Sequence, residues 1–207
     1  LAAGGDLKVS TLIQAYSKGI FPWYNEGSPI LWWSPDPRMV LFPQKFKASK
    51  SLLQTLHTGK FVVRFDSAFD QVIEYCARVR RRGQSDTWIT AEMMNAYKNL
   101  HASGYAHSVE AYFRGELAGG LYGVSLGRVF FGESMFSRVD NASKVALVHL
   151  CERLQAWGFG LIDCQMRTDH LISLGQVQRQ RLFGKDLLVR LCAGRHHVQP
   201  VEEVLAE

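Results

Sequence analysis

Arg128-Val129-Phe130-Phe131-Gly132-Glu133-Ser134-Met135-Phe136-Ser137 is a hydrophobic strand that carries one carboxylate, Glu133. A charge in such surroundings costs several kcal/mol unless it is paired or hydrogen-bonded. A second apolar strand, Leu161-Ile162-Asp163-Cys164-Gln165, carries a carboxylate and an amide. Asp163 and Gln165 are two residues apart, so in a strand both side chains leave the same face. Polar groups on two core strands point to one buried polar site. A satisfied Asp–Gln network with no chemistry to do is the plain alternative.

Composition narrows the setting. The chain has 207 residues, 47% hydrophobic and 21% charged, which is an ordinary folded composition. Its apolar runs are far shorter than the ~20 residues a membrane-spanning helix needs. No basic-then-apolar leader opens it, which argues against secretion. The net charge of +5 points weakly to a polyanionic partner. Arg78, Arg80, Arg81 and Arg82 concentrate that charge, either as a solvated helix end or as phosphate contacts. Cys76, Cys151, Cys164 and Cys192 form no CxxC and read as reduced thiols of a cytoplasmic protein. His196-His197 lacks further ligands at metal-binding spacing, so no metal is expected. Neither GxGxxG nor GxxxxGK[ST] occurs, so no nucleotide cofactor is expected.

These residues need elements to hold them. Ser10–Lys18 reads as a helix with Ser10 as its cap and Gly19 past its end. An aromatic and proline-rich stretch follows, with Phe21-Pro22-Trp23-Tyr24 and Leu31-Trp32-Trp33-Ser34-Pro35-Asp36-Pro37-Arg38. Its prolines forbid a long helix or a central strand. Residues 1–40 therefore read as a small N-terminal domain and 41–207 as the main one. Within the latter, helices are expected over 49–57, from a Ser67 cap to about Arg80, from a Thr90 cap to Ser103, over 141–157 and over 168–175. Strands are expected over 61–65, 107–113, 117–124, 128–135 and 160–165. Three antiparallel strands in a meander, a long helix and a further strand make an α+β fold. Asp140-Asn141-Ala142-Ser143-Lys144 opens the long helix. It could hold an anion, and capping by Asn141 or Ser143 explains it equally well.

The motifs GGDL (4–7), GIFPW (19–23), LWWSPDPR (31–38), DTWIT (86–90), GGLYG (119–123), FGESMFSRVDNASK (131–144) and LIDCQ (161–165), then Asp169-His170 and Ser173-Leu174-Gly175, resemble the bacterial leucyl/phenylalanyl-tRNA–protein transferases. The order is the family's, over almost the whole chain. One segment departs from it. Gln176 to Asp186 stands where the family reads roughly Ala-x-x-Ile-Pro-Arg followed by an aromatic-Leu pair.

The resemblance implies a main domain with the fold of the GCN5-related N-acyltransferases. It implies an enzyme that moves Leu, Phe or Met from aminoacyl-tRNA to the α-amino group of proteins beginning with Arg or Lys. The product is a degradation signal of the N-end rule pathway. An aminoacyl ester is already activated, so the reaction needs positioning rather than ATP or metal. The family's side-chain pocket carries over to Leu121, Phe130, Leu147, Leu150 and Ile162, which by spacing alone are plain core. Trp23, Trp88 and Tyr97 become candidates to stack on the terminal adenosine, at ~1–3 kcal/mol per base; core packing is the alternative for each. Glu133 and Asp163 suit the acceptor's guanidinium or ammonium group. Gln165 would accept a hydrogen bond from the attacking amine, with Asp163 orienting it. Proton transfer through Asp163, water or the ribose hydroxyl stays open.

Two other readings compete. An acyl-CoA-dependent N-acyltransferase would need the glycine-rich pyrophosphate turn that this sequence lacks. A non-catalytic RNA-binding module would explain the arginines and aromatics and leave Glu133, Asp163 and Gln165 without a purpose.

Overall fold

The computed structural model describes residues 2–36, 38–79, 88–166, 181–183 and 185–193. The order is β1 (Ala2–Ala3), α1 (Val9–Ser17), β2 (Phe21–Pro22), β3 (Leu31–Trp33), β4 (Arg38–Leu41), α2 (Lys50–His57), β5 (Phe61–Phe65), α3 (Phe69–Arg78), α4 (Ala91–Ala102), β6 (Ala106–Phe113), β7 (Glu116–Leu126), β8 (Val129–Ser137), α5 (Ala142–Ala156), β9 (Leu161–Gln165), β10 (Arg181–Phe183) and α6 (Lys185–Cys192). This is the expected mix of helices and strands, with a small N-terminal sheet ordered β1-β3-β2. The large sheet runs β10-β4-β9-β8-β7-β6-β5. All of its pairings are antiparallel except β8–β9. That parallel pair needs a crossover, and α5 supplies it. The helix expected over 168–175 lies outside the described residues. Of the atypical segment after Gly175, residues 181–183 add an edge strand beside β4.

The boundary expected at residue 40 falls inside β4, a strand of the large sheet. The small sheet is also joined to the rest by a common core. Leu12, Tyr16, Phe21 and Trp32 pack in one buried cluster with Val124, Phe131 and Leu161 of the large sheet.

Side-chain alternation sorts the sheet into two faces. Val129 and Phe131 of β8 join the cluster that also contains residues of α1, α3 and α4. Phe130, between them, joins the cluster built on α5. The same split separates Leu161 from Ile162 on β9. One face of the sheet thus looks toward α1, α3 and α4, and the other toward α5.

Helix ends follow local signals in some places and distant partners in others. Thr90 Oγ1 accepts from the Met93 N–H at the start of α4, and Ser49 Oγ from the Leu52 N–H at the start of α2, as capping requires. Gly19 lies past α1 with φ +67, a conformation costly for residues with a Cβ. Ser10 and Ser67 are not caps. α1 begins at Val9, and Asp6 accepts from the Lys8 N–H and the Thr11 hydroxyl ahead of it. Ser67 instead donates its hydroxyl to buried Glu110, 2.8 Å away on β6. Neither Asn141 nor Ser143 caps α5 through its own side chain. Ser137 Oγ on β8 accepts from the Ser143 N–H, and Asn141 donates to Thr55 Oγ1 on α2.

Gly123 on β7 faces Gly132 on β8, beside the Phe131 carbonyl and the Phe130 ring, and a Cβ there would overlap both. Gly123→Ala is expected to cost ~1–3 kcal/mol through forced displacement of β8. Thermal denaturation checks this; a melting temperature equal to the parent's would contradict the close approach.

Candidate active site

Two register slips set the geometry. On β7 and β8, Gly123 pairs with Gly132 and Tyr122 with Ser134, so Glu133 is the extra residue of a β-bulge. Bulges re-aim side chains and are common beside active sites. On β4 and β9, Val40 pairs with Asp163 and Met39 with Gln165, leaving Cys164 as the extra residue. β8 and β9 pair from Val129–Leu161 only to Phe131–Asp163. β8 then runs on to Ser137 without β9, so the strands part just where Glu133 and Gln165 lie.

Glu133, Asp163 and Gln165 converge at this parting. Gln165 Nε2 donates to Glu133 Oε1 at 2.9 Å, and the Gln165 backbone N–H donates to Asp163 Oδ1 at 3.0 Å. Gln165 has φ +59, a left-handed conformation that few non-glycine residues adopt. Those two hydrogen bonds hold it there. Because its nitrogen is committed to Glu133, the amide oxygen is the end left for another donor.

Glu133 is 9% exposed and faces α1 and α4. Tyr16 donates to its Oε1 at 2.7 Å and Tyr97 to its Oε2 at 3.0 Å, and the two phenol oxygens are 2.6 Å apart. Three oxygen-bearing groups thus make three mutual contacts. With Glu133 ionised there are two protons to fill them; with Glu133 protonated there are three. Burial raises the Glu133 pKa most, Tyr16, Tyr97 and Gln165 pull it back, Asp163 adds repulsion, and the result is about 7. Tyr16 and Tyr97 are held well above the ordinary tyrosine range by burial and by Glu133.

Asp163 is 0% exposed and is not half of an open acidic pocket, as the sequence suggested. Its Oδ2 meets Arg38 Nη1 at 2.6 Å in an ion pair buried on both sides. Arg38 is 1% exposed and also donates from Nη2 to the Gly19 carbonyl at 2.6 Å and from Nε to the Pro35 carbonyl at 3.3 Å. Burial raises the Asp163 pKa and Arg38 opposes the rise. Breaking a pair of this kind by removing one member typically costs ~3–5 kcal/mol.

The other expected residues divide. Leu121, Phe130, Leu147, Leu150 and Ile162 are together in one cluster beneath α5, each no more than 5% exposed. They occupy the sheet face opposite Glu133 and Asp163. Tyr97 cannot stack on a base: it is 0% exposed, its hydroxyl is held by Tyr16 and Glu133, and its ring meets Tyr122 edge-on. Trp23 and Trp88 are half-buried. Their segments are tied together, since Tyr24, next to Trp23, donates to Glu92 on the first turn of α4. Arg78 is 73% exposed and 4.0 Å from Glu74. Arg80, Arg81 and Arg82 lie outside the described residues, as do Asp169, His170 and His196-His197. Arg38 and Tyr16 were not singled out from the sequence as site residues. The signals available were an arginine directly before the apolar run Met39-Val40-Leu41, and a tyrosine on the apolar face of α1. The Cys164 thiol is pushed up to about 12 by burial, which makes it a poor nucleophile.

A Glu133 pKa raised from 4.5 to about 7 means that the folded state keeps a proton the unfolded chain has lost. Stability from this group is full below about 4.5 and falls as pH rises toward 7. Between pH 5 and 7.5 the parent should lose about 2–3 kcal/mol relative to Glu133→Gln. Urea titrations of both at several pH values test this; parallel curves would contradict it.

Comparison with known proteins agrees along the chain. The family model for leucyl/phenylalanyl-tRNA protein transferase matches residues 40–186, and the model for that family's N-terminal domain matches residues 5–36. The leucyl/phenylalanyl-tRNA–protein transferase of Nitrosospira multiformis is 61% identical over 175 residues, covering 84% of this chain and 75% of that protein. Proteins of the same name from Chromobacterium violaceum and Myxococcus xanthus are 55% identical over 201 residues and 59% identical over 175 residues. The former alignment covers 97% of this chain and 84% of that protein, the latter 84% and 75%. With both halves of the chain matched and Glu133, Asp163 and Gln165 all inside the matched spans, this protein belongs to the leucyl/phenylalanyl-tRNA–protein transferase family.

Proposed function

We propose that the protein transfers leucine or phenylalanine, and also methionine, from aminoacyl-tRNA to the N-terminal α-amino group of proteins beginning with Arg or Lys. The observation that carries the reading is the convergence of Glu133 and Gln165 where β8 and β9 part, in a chain of this family. The neutral amine attacks the ester carbonyl while the Gln165 amide oxygen accepts a hydrogen bond from its N–H. A C–N bond forms, the ester C–O bond breaks, and the terminal ribose of the tRNA leaves as a hydroxyl. The amine proton therefore ends on that oxygen, with Glu133, at a pKa of about 7, suited to carry it across. Holding amine and ester together contributes several kcal/mol without ATP or metal.

The apolar cluster beneath α5 receives the amino-acid side chain. Such a lining separates methylene differences by only ~1–3 kcal/mol, which suits acceptance of Leu, Phe and Met alike. Trp23 and Trp88 hold the terminal adenosine, and Arg78, with Arg80 to Arg82 after it, meets acceptor-stem phosphates. The large sheet, with α5 crossing between its one parallel pair, corresponds to the GCN5-related N-acyltransferase fold, and the residues before Arg38 form the small N-terminal domain. The enzyme works in the cytoplasm, where aminoacyl-tRNA is made, and its product marks the acceptor for degradation. The described helices include none long and apolar enough to cross a membrane.

Incubating the protein with radiolabelled Leu-tRNA or Phe-tRNA and an acceptor beginning in Arg should move label onto the acceptor. tRNA binding without transfer would contradict the reading. Gln165→Ala should fold and lose transfer at least a hundredfold, a factor of ten being ~1.4 kcal/mol of barrier; near-normal turnover would remove its role. If ionised Glu133 is needed, single-turnover rates should fall as pH drops below about 7, beyond the loss caused by protonating the acceptor amine. Glu133→Gln should abolish that extra step, and identical profiles would contradict it.

A further inference from the structure

Six contacts around the site close on themselves. The Gly19 N–H donates to the Tyr16 carbonyl at 2.9 Å, and the Tyr16 hydroxyl to Glu133 Oε1 at 2.7 Å. Gln165 Nε2 donates to the same Glu133 oxygen at 2.9 Å, and its backbone N–H to Asp163 Oδ1 at 3.0 Å. Arg38 Nη1 joins Asp163 Oδ2 at 2.6 Å, and Arg38 Nη2 returns to the Gly19 carbonyl at 2.6 Å. The ring passes through α1 and its end, β4, β9 and β8. It is the structure's means of holding Gln165 at φ +59.

We propose that Arg38 is a positioning residue for the transfer reaction. It pins Asp163, and Asp163 in turn fixes the backbone of Gln165, so that the amide oxygen meets the attacking amine. This rests on the function proposed above. The planar guanidinium is what the site requires, because it spans two acceptors, a carboxylate and a backbone carbonyl, in one rigid fork. A lysine can supply the charge to Asp163 without spanning both. Asp163 is then the link between Arg38 and Gln165, and neither a proton acceptor nor a contact for the incoming cation.

The test is Arg38→Lys, read three ways. Single-turnover transfer should fall at least thirtyfold, while the Kd for Phe-tRNA and the KM for the acceptor stay within threefold. Hydrogen exchange at the Gln165 backbone amide should speed at least tenfold. A folded Arg38→Lys with transfer within twofold of the parent, or with tRNA binding and turnover lost in equal measure, would overturn the proposal. The exchange readout needs no activity. If the parent itself transfers no label, the functional reading fails, and the Gln165 amide still decides whether Arg38 holds it. Should Arg38→Lys not fold, Tyr16→Phe opens the ring at its opposite side and leaves Glu133 its donors from Tyr97 and Gln165. It should give the same exchange signature, and unchanged exchange there would count against the ring.

Discussion

A carboxylate inside a packed sheet has to be met by donors, and in this protein that requirement organises the centre of the molecule. Glu133 takes three, from α1, α4 and β9, and Asp163 takes two, from β4 and from the turn of its own strand. None of these donors can move away alone without stranding charge at a cost of several kcal/mol. The small N-terminal unit is therefore committed to the large sheet electrostatically as well as by its shared apolar core. The polar groups of the proposed site are thus held by the protein's own donors with no ligand present.

The two faces of the sheet differ in chemistry. The face toward α1, α3 and α4 holds the polar ring, and the face toward α5 holds the apolar cluster assigned to the aminoacyl side chain. Alternation along β8 and β9 makes this separation unavoidable, because Phe130 and Phe131, or Ile162 and Asp163, must leave opposite faces. In the proposed function, the parting of β8 and β9 is where the two meet. A substrate bridging that gap would place its side chain under α5 and its carbonyl beside Gln165.

Much of this was legible in the chain. The meander β6 to β8 and the helices α4 and α5 followed from hydrophobic period and from Thr90, Gly104 and Gly158. Glu133, Asp163 and Gln165 stood out because each is polar on a strand otherwise fit for a core. What escaped was whatever depends on distant partners. Arg38 and Asp163 are 125 residues apart, and Tyr16 and Glu133 are 117 apart. Local pattern carries no trace of such pairings. Ser10, Ser67 and Asn141 suited caps locally, and Asp6, Glu110 and Ser137 hold the neighbouring backbone or side chains instead. Helical spacing placed Tyr97 on the helix after Trp88, yet could not tell a ring facing solvent from one facing a buried carboxylate.

The most direct measurement is a crystal structure with a phenylalanyl-adenosine analogue whose ester is replaced by an amide. The account predicts the phenyl ring among Leu121, Phe130, Leu147, Leu150 and Ile162, the carbonyl at the gap between β8 and β9, and an amine site within hydrogen-bond reach of the Gln165 amide oxygen. An analogue bound with its carbonyl remote from Gln165 and Glu133, on either face of the sheet, would contradict it.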